Sequence, residues 1–341
     1  MNIGIIGYGY WGPNLVRNFS LEQDCTVSCI ADSRAERLKI AERLYPSMKT
    51  TTRPEDILMD NAIEAVIIAT PVHTHYQLAR SAMERKKHVL VEKPMTMSHA
   101  EAKELVQLAQ EQGITLMVDH TFLYTGAVKK MKEIIGRGDL GNIQYYDSTR
   151  INLGLFQHDI NVLWDLAPHD IAILLHLIDE KPTSVQAIGV THTNNGIENI
   201  AYLTLYYQSG MIAHCSCSWS SPVKVRTTYI GGTQKMIVYD DMEGTEKVKV
   251  YDTGFEIKTD EEKHRTLVDY RTGDIYTPKI DTKEALAEMA HDFVMAVKHE
   301  KEPISSWKVG YDVVNILESA QISIKSNGSK ITLLNGLGGR A

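Results

Sequence analysis

Lys93, Asp165 and His169 are the side chains whose types and surroundings suit proton transfer. Lys93 follows an apolar run, HVLV, and precedes a proline. An isolated buried ammonium is costly, so a lysine placed there needs a partner, either Glu92 beside it or a reacting hydroxyl. Lys93-Pro94 is also a candidate cis bond, since X-Pro is where cis peptides occur. Asp165 and His169 lie four apart in WDLAPHDIAILLHLI. A helix that has begun by Asp165 projects both from one face. A carboxylate steadying an imidazole is the arrangement that general acid–base catalysis uses. The alternative makes Asp165 the helix N-cap and His169 a surface residue.

Those residues need a frame, and the start of the chain supplies one. Ile3, Ile5 and Ile6 read as a buried strand, followed by GYGYWG with Gly7, Gly9 and Gly12 in G-x-G-x-x-G spacing. Leu15, Val16 and Phe19 then recur at helical spacing, with Pro13 tolerated in the first turn. Gly7 permits the tight turn, Gly9 admits a pyrophosphate, and Gly12 allows close packing of helix on strand. A second strand, Thr26 to Ala31, ends at Asp32, where an acidic residue meets a ribose. Further buried strands at Ala65 to Ala69, His88 to Val91 and Ile114 to Val118 alternate with helices. This predicts a doubly wound parallel sheet over residues 1–120, a dinucleotide-binding Rossmann domain. In such a sheet ligands bind outside the carboxyl ends of the strands. The turn Gly7 to Gly12, Asp32, Thr70-Pro71 and Glu92-Lys93-Pro94 all fall there. Tyr10, Trp11, Ser33, Arg34 and His75 join them as cofactor contacts, the PVHTH loop covering the cofactor. Asp32 favours NAD by repelling a 2′-phosphate; Ser33 and Arg34 could welcome one if Asp32 swings away, which keeps NADP open.

Beyond Gly141 the period turns to two. Strands are predicted at Ser184 to His192, Asn199 to Tyr207, Met211 to Trp219, Lys224 to Ile230 and Lys235 to Tyr239. One helix around Asp165 interrupts them and two, Lys283 to His299 and Ser306 to Lys325, follow; 252–282 reads as polar and irregular. The expectation for 121–341 is therefore a second, α+β domain with a mostly antiparallel sheet. Its uncovered face would show alternate side chains such as Tyr202, Tyr206 and Trp219, or the opposite set. His158 and His176 read as structural, and His73 and His75 lack a third ligand, so no metal is expected. The composition, 43% hydrophobic and 23% charged with a net charge of −7, is that of a soluble protein without a nucleic-acid or anionic-membrane footprint. Four cysteines in predicted strands and a first strand at the very start suggest a reduced, cytoplasmic protein without signal peptide.

Taken together, GYGYWG, Asp32, ATPVHTH at 69–75, EKP at 92–94 and DLAPH at 165–169 resemble the Gfo/Idh/MocA family over nearly the whole chain. GYWGPNLVRNF and NLGLFQHDINVLWDLAPHDI look most like the branch acting on nucleotide-linked amino sugars, including UDP-N-acetylglucosamine 3-dehydrogenases. The resemblance implies an NAD(P)-dependent dehydrogenase moving a hydride to or from a secondary hydroxyl, at C3 of a sugar. Lys93, Asp165 and His169 match the family's catalytic set, either Lys93 or His169 taking the proton. Substrate contacts are expected from Lys93, Tyr124, Arg150, Asn161, Asp165 and His169. A homodimer or homotetramer joined through the open sheet is implied as well. The same fold also hosts an NAD-dependent glycosidase and non-catalytic NAD(P)-binding regulators; the intact Lys93, Asp165 and His169 argue against a regulator.

Overall fold

The computed structural model describes residues 1–154, 157, 159–193, 196–256 and 269–334. His158 lies outside them. By its internal contacts the chain divides into two units, Met1–Thr125 with Lys283–Glu318, and Gly126–Thr282 with Ser319–Leu334.

In the first unit β1 (Asn2–Ile6), β2 (Thr26–Ala31), β3 (Lys49–Thr51), β4 (Ala65–Ile68), β5 (His88–Glu92) and β6 (Leu116–Asp119) form one parallel sheet in the order 3-2-1-4-5-6. The strands β1, β4, β5 and β6 are buried on both faces, which explains their continuous apolar runs. The connecting helices are α1 (Gly12–Leu21), α2 (Ala35–Leu44), α3 (Pro54–Leu58), α4 (His75–Met83) and α5 (His99–Gln112). Because β1 pairs with β2 on one side and β4 on the other, the winding reverses at β1, and the crevice opens at its carboxyl end.

The helix expected over Lys283 to His299 was placed in the second domain. The structure places α8 (Ala285–His299) in the first unit instead. Its buried stripe of Leu286, Met289, Phe293 and Val294 meets α1, where Phe19 and Phe293 stack edge to face at 6.1 Å. The Arg17 guanidinium pairs with the Glu284 carboxylate across the same contact. Amphipathic periodicity shows that a helix buries a face, not which partner covers it.

The second unit is built on a nine-stranded sheet ordered β14-β13-β12-β11-β7-β10-β9-β8-β15. Its strands are β7 (Ile143–Leu153), β8 (Ser184–Val190), β9 (Ile200–Tyr206), β10 (Ile212–Ser218), β11 (Ser220–Gly232), β12 (Met236–Asp240), β13 (Val248–Glu256), β14 (Asp269–Tyr276) and β15 (Ile331–Thr332). Only the β7–β10 pair is parallel. Helices α6 (Gly126–Gly136) and α7 (Val162–Leu177) precede and follow β7, and α9 (Trp307–Lys325), which belongs to the first unit up to Glu318 and to the second from Ser319, comes before β15. Leu203, Leu205, Ala213, Cys215 and Cys217 fill the inner face, with α7 against β7, β9 and β10.

Two departures from the sequence reading have physical causes. The central strand β7 carries Tyr146, Ser148 and Arg150 on its buried face, so its alternation does not read as apolar. Strand β14 is the outermost strand and, with the end of β13, falls within the stretch that reads as irregular; Asp274, Ile275 and Tyr276 on it are exposed, and an edge strand tolerates such a sequence because little of it is covered. The open face includes Tyr202, 43% exposed, together with Ile188, Ile212 and Tyr229. Trp219 is not on it. It falls at the break between β10 and β11, where the alternation lapses, and is 1% exposed.

Candidate active site

The glycine-rich turn has the geometry of an anion cradle. Gly7 has φ +104°, and a Cβ there would lie 2.3 Å from the Ala69 carbonyl oxygen; at Gly12 it would lie 2.1 Å from that of Gly7. Both glycines are demanded by the fold. Gly9 is different, since a Cβ there would meet only the Arg34 Nη2, at 3.4 Å. Protein packing does not require that glycine, and no side chain caps the start of α1, where free backbone amides favour an anion. Tyr10 stands 93% exposed beside the turn. Trp11 is turned to another task, its indole N–H donating to Asp119 Oδ2 at 3.0 Å and bracing the turn against β6.

Asp32 follows β2 and is buried. Its carboxylate accepts from the Tyr8 amide at 2.8 Å and, from Arg34, the amide at 2.9 Å, Nε at 3.1 Å and Nη2 at 3.3 Å. Burial works against its charge, but the bonds from Arg34 and Tyr8 hold the pKa below the ordinary carboxylate value. Ser33 is exposed next to this pair.

Further candidate residues lie in the same unit. Lys93-Pro94 is cis, as the sequence suggested. His75, expected to touch the cofactor, is instead 1% exposed, with its ring nitrogens 2.9 Å from the Pro94 carbonyl and 2.8 Å from that of Thr70. It ties the end of β4 to the end of β5, and burial pulls its pKa down despite those carbonyls. The Thr70 and Thr74 hydroxyls, 2.6 Å apart, close the intervening turn. His120, which sequence reasoning passed over, is fully enclosed just after β6; burial and then the Lys93 charge push it down to about 3, so it is neutral. Tyr124 was expected on the substrate side. It is buried, its hydroxyl donating to Asp292 at 2.8 Å and accepting from the Ser305 amide at 3.1 Å, which makes it a brace for α8.

In the second unit, α7 begins at Val162 and its N-cap is Asn161, whose side chain accepts from the Trp164 amide at 3.1 Å. The N-cap alternative for Asp165 is thereby removed. Asp165 sits in the first turn and His169 one turn later, both half-buried on one face. The Trp219 indole donates to Asp165 Oδ2 at 3.0 Å. Nothing in the sequence near Trp219 signals that contact, because 54 positions separate the two residues. Asn161 and Arg150, both expected to bind substrate, have structural duties. Asn161 caps α7 and bonds Glu198 and Gln321. Arg150 forms a buried two-point ion pair with Asp170 at 2.7 and 3.0 Å, joining β7 to α7. His176, near the end of α7, is half-buried with its pKa lowered chiefly by burial. Among the described residues no group of three or more His, Cys, Asp or Glu could hold a metal, and no helix is long and apolar enough to cross a membrane.

Comparison with known proteins gives this arrangement a family. Residues 1–120 match the model of the oxidoreductase family with an NAD-binding Rossmann fold, and residues 128–238 match the GFO/IDH/MocA C-terminal domain. The chain is 25% identical over 268 residues to 2,7-anhydro-N-acetylneuraminate hydratase of Escherichia coli, covering 73% of this chain and 70% of that protein. To UDP-N-acetylglucosamine 3-dehydrogenase of Acidithiobacillus ferrooxidans it is 28% identical over 222 residues, 64% of this chain and 67% of the relative. A crystal structure of that enzyme superposes with a TM-score of 0.79 at 22% identity, covering 96% of this chain and 98% of the other. Levoglucosan dehydrogenase, in complex with NADH and levoglucosan, gives 0.83 at 22% identity, with coverage of 98% and 100%. At such identities the structural likeness establishes the fold. The two family models, matched in order along the chain, establish the lineage: this protein belongs to the Gfo/Idh/MocA family of NAD(P)-dependent oxidoreductases, its first domain an NAD-binding Rossmann fold.

Proposed function

We propose that the protein oxidises or reduces a secondary hydroxyl of a sugar, at C3 of a nucleotide-linked sugar, with NAD(H). The observation that carries the reading is the Asp165–His169 pair on one face of α7, with the Trp219 indole holding the carboxylate. The choice of substrate class is supported by the UDP-N-acetylglucosamine 3-dehydrogenase relative.

Gly7, Gly9, Gly12 and Asp32 would hold the dinucleotide, whose bound nicotinamide supplies the hydride exchange. The chain's own residues manage the proton and the charge. His169 takes the hydroxyl proton at a ring nitrogen, since imidazole titrates near neutrality. Asp165 keeps the ring oriented and stabilises the imidazolium. Lys93 offsets the negative charge that grows on the substrate oxygen in the transition state.

Lys93→Met and His169→Ala are each expected to lower kcat by about 10²–10⁴-fold, the scale of one positioned acid or base. His169→Ala should leave NAD(H) affinity nearly unchanged. The assay is NAD+ reduction, followed by NADH absorbance, across a panel of UDP- and dTDP-sugars. Turnover by the double variant near the wild-type rate would refute the assignment. Release of free sugar without net NADH would favour the glycosidase reading.

A further inference from the structure

At the carboxyl ends of β5 and β6, Glu92 and Asp119 are register partners on adjacent parallel strands, so their side chains leave the sheet on the same side. Asp119 is 3% exposed and well supplied with donors: the Trp11 indole at 3.0 Å, the Thr121 amide at 3.1 Å and the Thr121 hydroxyl. That set identifies it as the ionised member, because an ionised carboxylate only accepts. Glu92 is placed differently. Its Oε2 accepts from the Lys93 amide at 3.2 Å, while Oε1 is buried from solvent and meets no donor among the described residues. Its neighbour across the strands is the Asp119 carboxylate. Two carboxyl groups side by side can hydrogen-bond only with a proton between them.

We infer that Glu92 is a positioning residue that works as a neutral carboxylic acid: its proton, directed to Asp119, leaves the pair one negative charge instead of two and lets Asp119 tie Trp11 of the glycine-rich turn to the strand ends that carry Lys93. The surroundings agree. Burial, then the Asp119 charge, push the Glu92 carboxyl well above the usual carboxylate range, against the pull of Lys93 and its amide. Asp119 on β6 and Lys93 next in the chain are the charges that reach Glu92; His120, on the same edge, is neutral. A second carboxylate here would repel Asp119 and hold the Lys93 ammonium proton more tightly. The role toward Lys93 rests on the oxidoreductase reading above, whereas the protonation of Glu92 does not.

Infrared difference spectroscopy of the cofactor-free protein, wild type against Glu92→Gln at neutral pH, tests the protonation directly. The expected result is a carboxylic C=O band in the wild type that the variant lacks; its absence overturns the inference. Thermal unfolding gives a second readout that needs no catalysis. Folded Glu92 keeps its proton above the unfolded pKa of about 4.3, so its contribution to stability is lost as pH rises from there. Glu92→Gln should therefore gain Tm relative to wild type between about pH 5 and pH 8. A difference that stays constant over that range refutes the idea. Both measurements stand even if the proposed substrate is wrong.

The pH profile of kcat/KM then tests the role. Whatever Glu92→Gln does to kcat, it should leave in place the alkaline limb, on which the Lys93 charge is lost, while Asp119→Asn moves that limb to lower pH by about one unit. An equal displacement by Glu92→Gln would show that Glu92 carries charge.

Discussion

Replacing Asp32 with asparagine reports on how the chain chooses its cofactor. The carboxylate now accepts from the Tyr8 amide at 2.8 Å and three times from Arg34. Asparagine keeps an acceptor for Tyr8 but gives up the charge. Against NAD, the loss is a charge-assisted bond to the ribose hydroxyls, about 1.5–3 kcal/mol. Against NADP, the loss is a repulsion, about 4 kcal/mol for two unit charges 4 Å apart at an effective dielectric of 20. That repulsion is smaller here, because the half-exposed Arg34 already offsets Asp32 and solvent screens the rest, leaving about 1–2 kcal/mol. The two effects together amount to about 2.5–5 kcal/mol, so the ratio of the NADP and NAD dissociation constants should move toward NADP by about 10²–10⁴. Calorimetric titration with each cofactor measures it, with Tm as the check on folding. Arg34→Met should act in the opposite sense on NADP, since Asp32 is left uncompensated. A ratio unchanged within about threefold in Asp32→Asn, or wild-type protein binding NADP as tightly as NAD, would refute the reasoning.

Phe293 is fully buried on α8 against Phe19, so Phe293→Ala should cost about 3–5 kcal/mol in urea unfolding; a loss under about 1 kcal/mol would mean that α8 is not part of the first unit's core. Trp219→Phe preserves most of the ring but deletes the N–H to Asp165, and should lower kcat about tenfold with little change in Tm; an unaltered kcat would mean that Asp165 is oriented by other partners. The open sheet face bearing Tyr202, Ile188, Ile212 and Tyr229 is expected to join a homodimer or a dimer of dimers, and a monomeric mass by light scattering at micromolar concentration would count against it.

The placement of the candidate residues was legible wherever local spacing is itself the cause of structure. Gly7, Gly9 and Gly12 follow β1 because a strand must turn tightly into a helix there, and Asp32 closes the second strand at the matching distance. Asp165 and His169 share a face because 3.6 residues make a turn. The parallel sheet was legible for the same reason, as strands buried on both faces cannot afford polar residues. What sequence could not specify was which distant group each side chain meets. Tyr124, Arg150 and Asn161 are chemically fit for a substrate, and only packing showed them engaged with Asp292, Asp170 and the start of α7. Strand alternation left open which face Trp219 takes; the break between β10 and β11 turns it toward Asp165. The allegiance of α8, and the pairing of Glu92 with Asp119 across two strands, likewise depend on tertiary neighbours. Local periodicity is written along the chain and decides which face an element buries; the partner that covers the face, and with it the charge state of a buried acid, is decided in three dimensions.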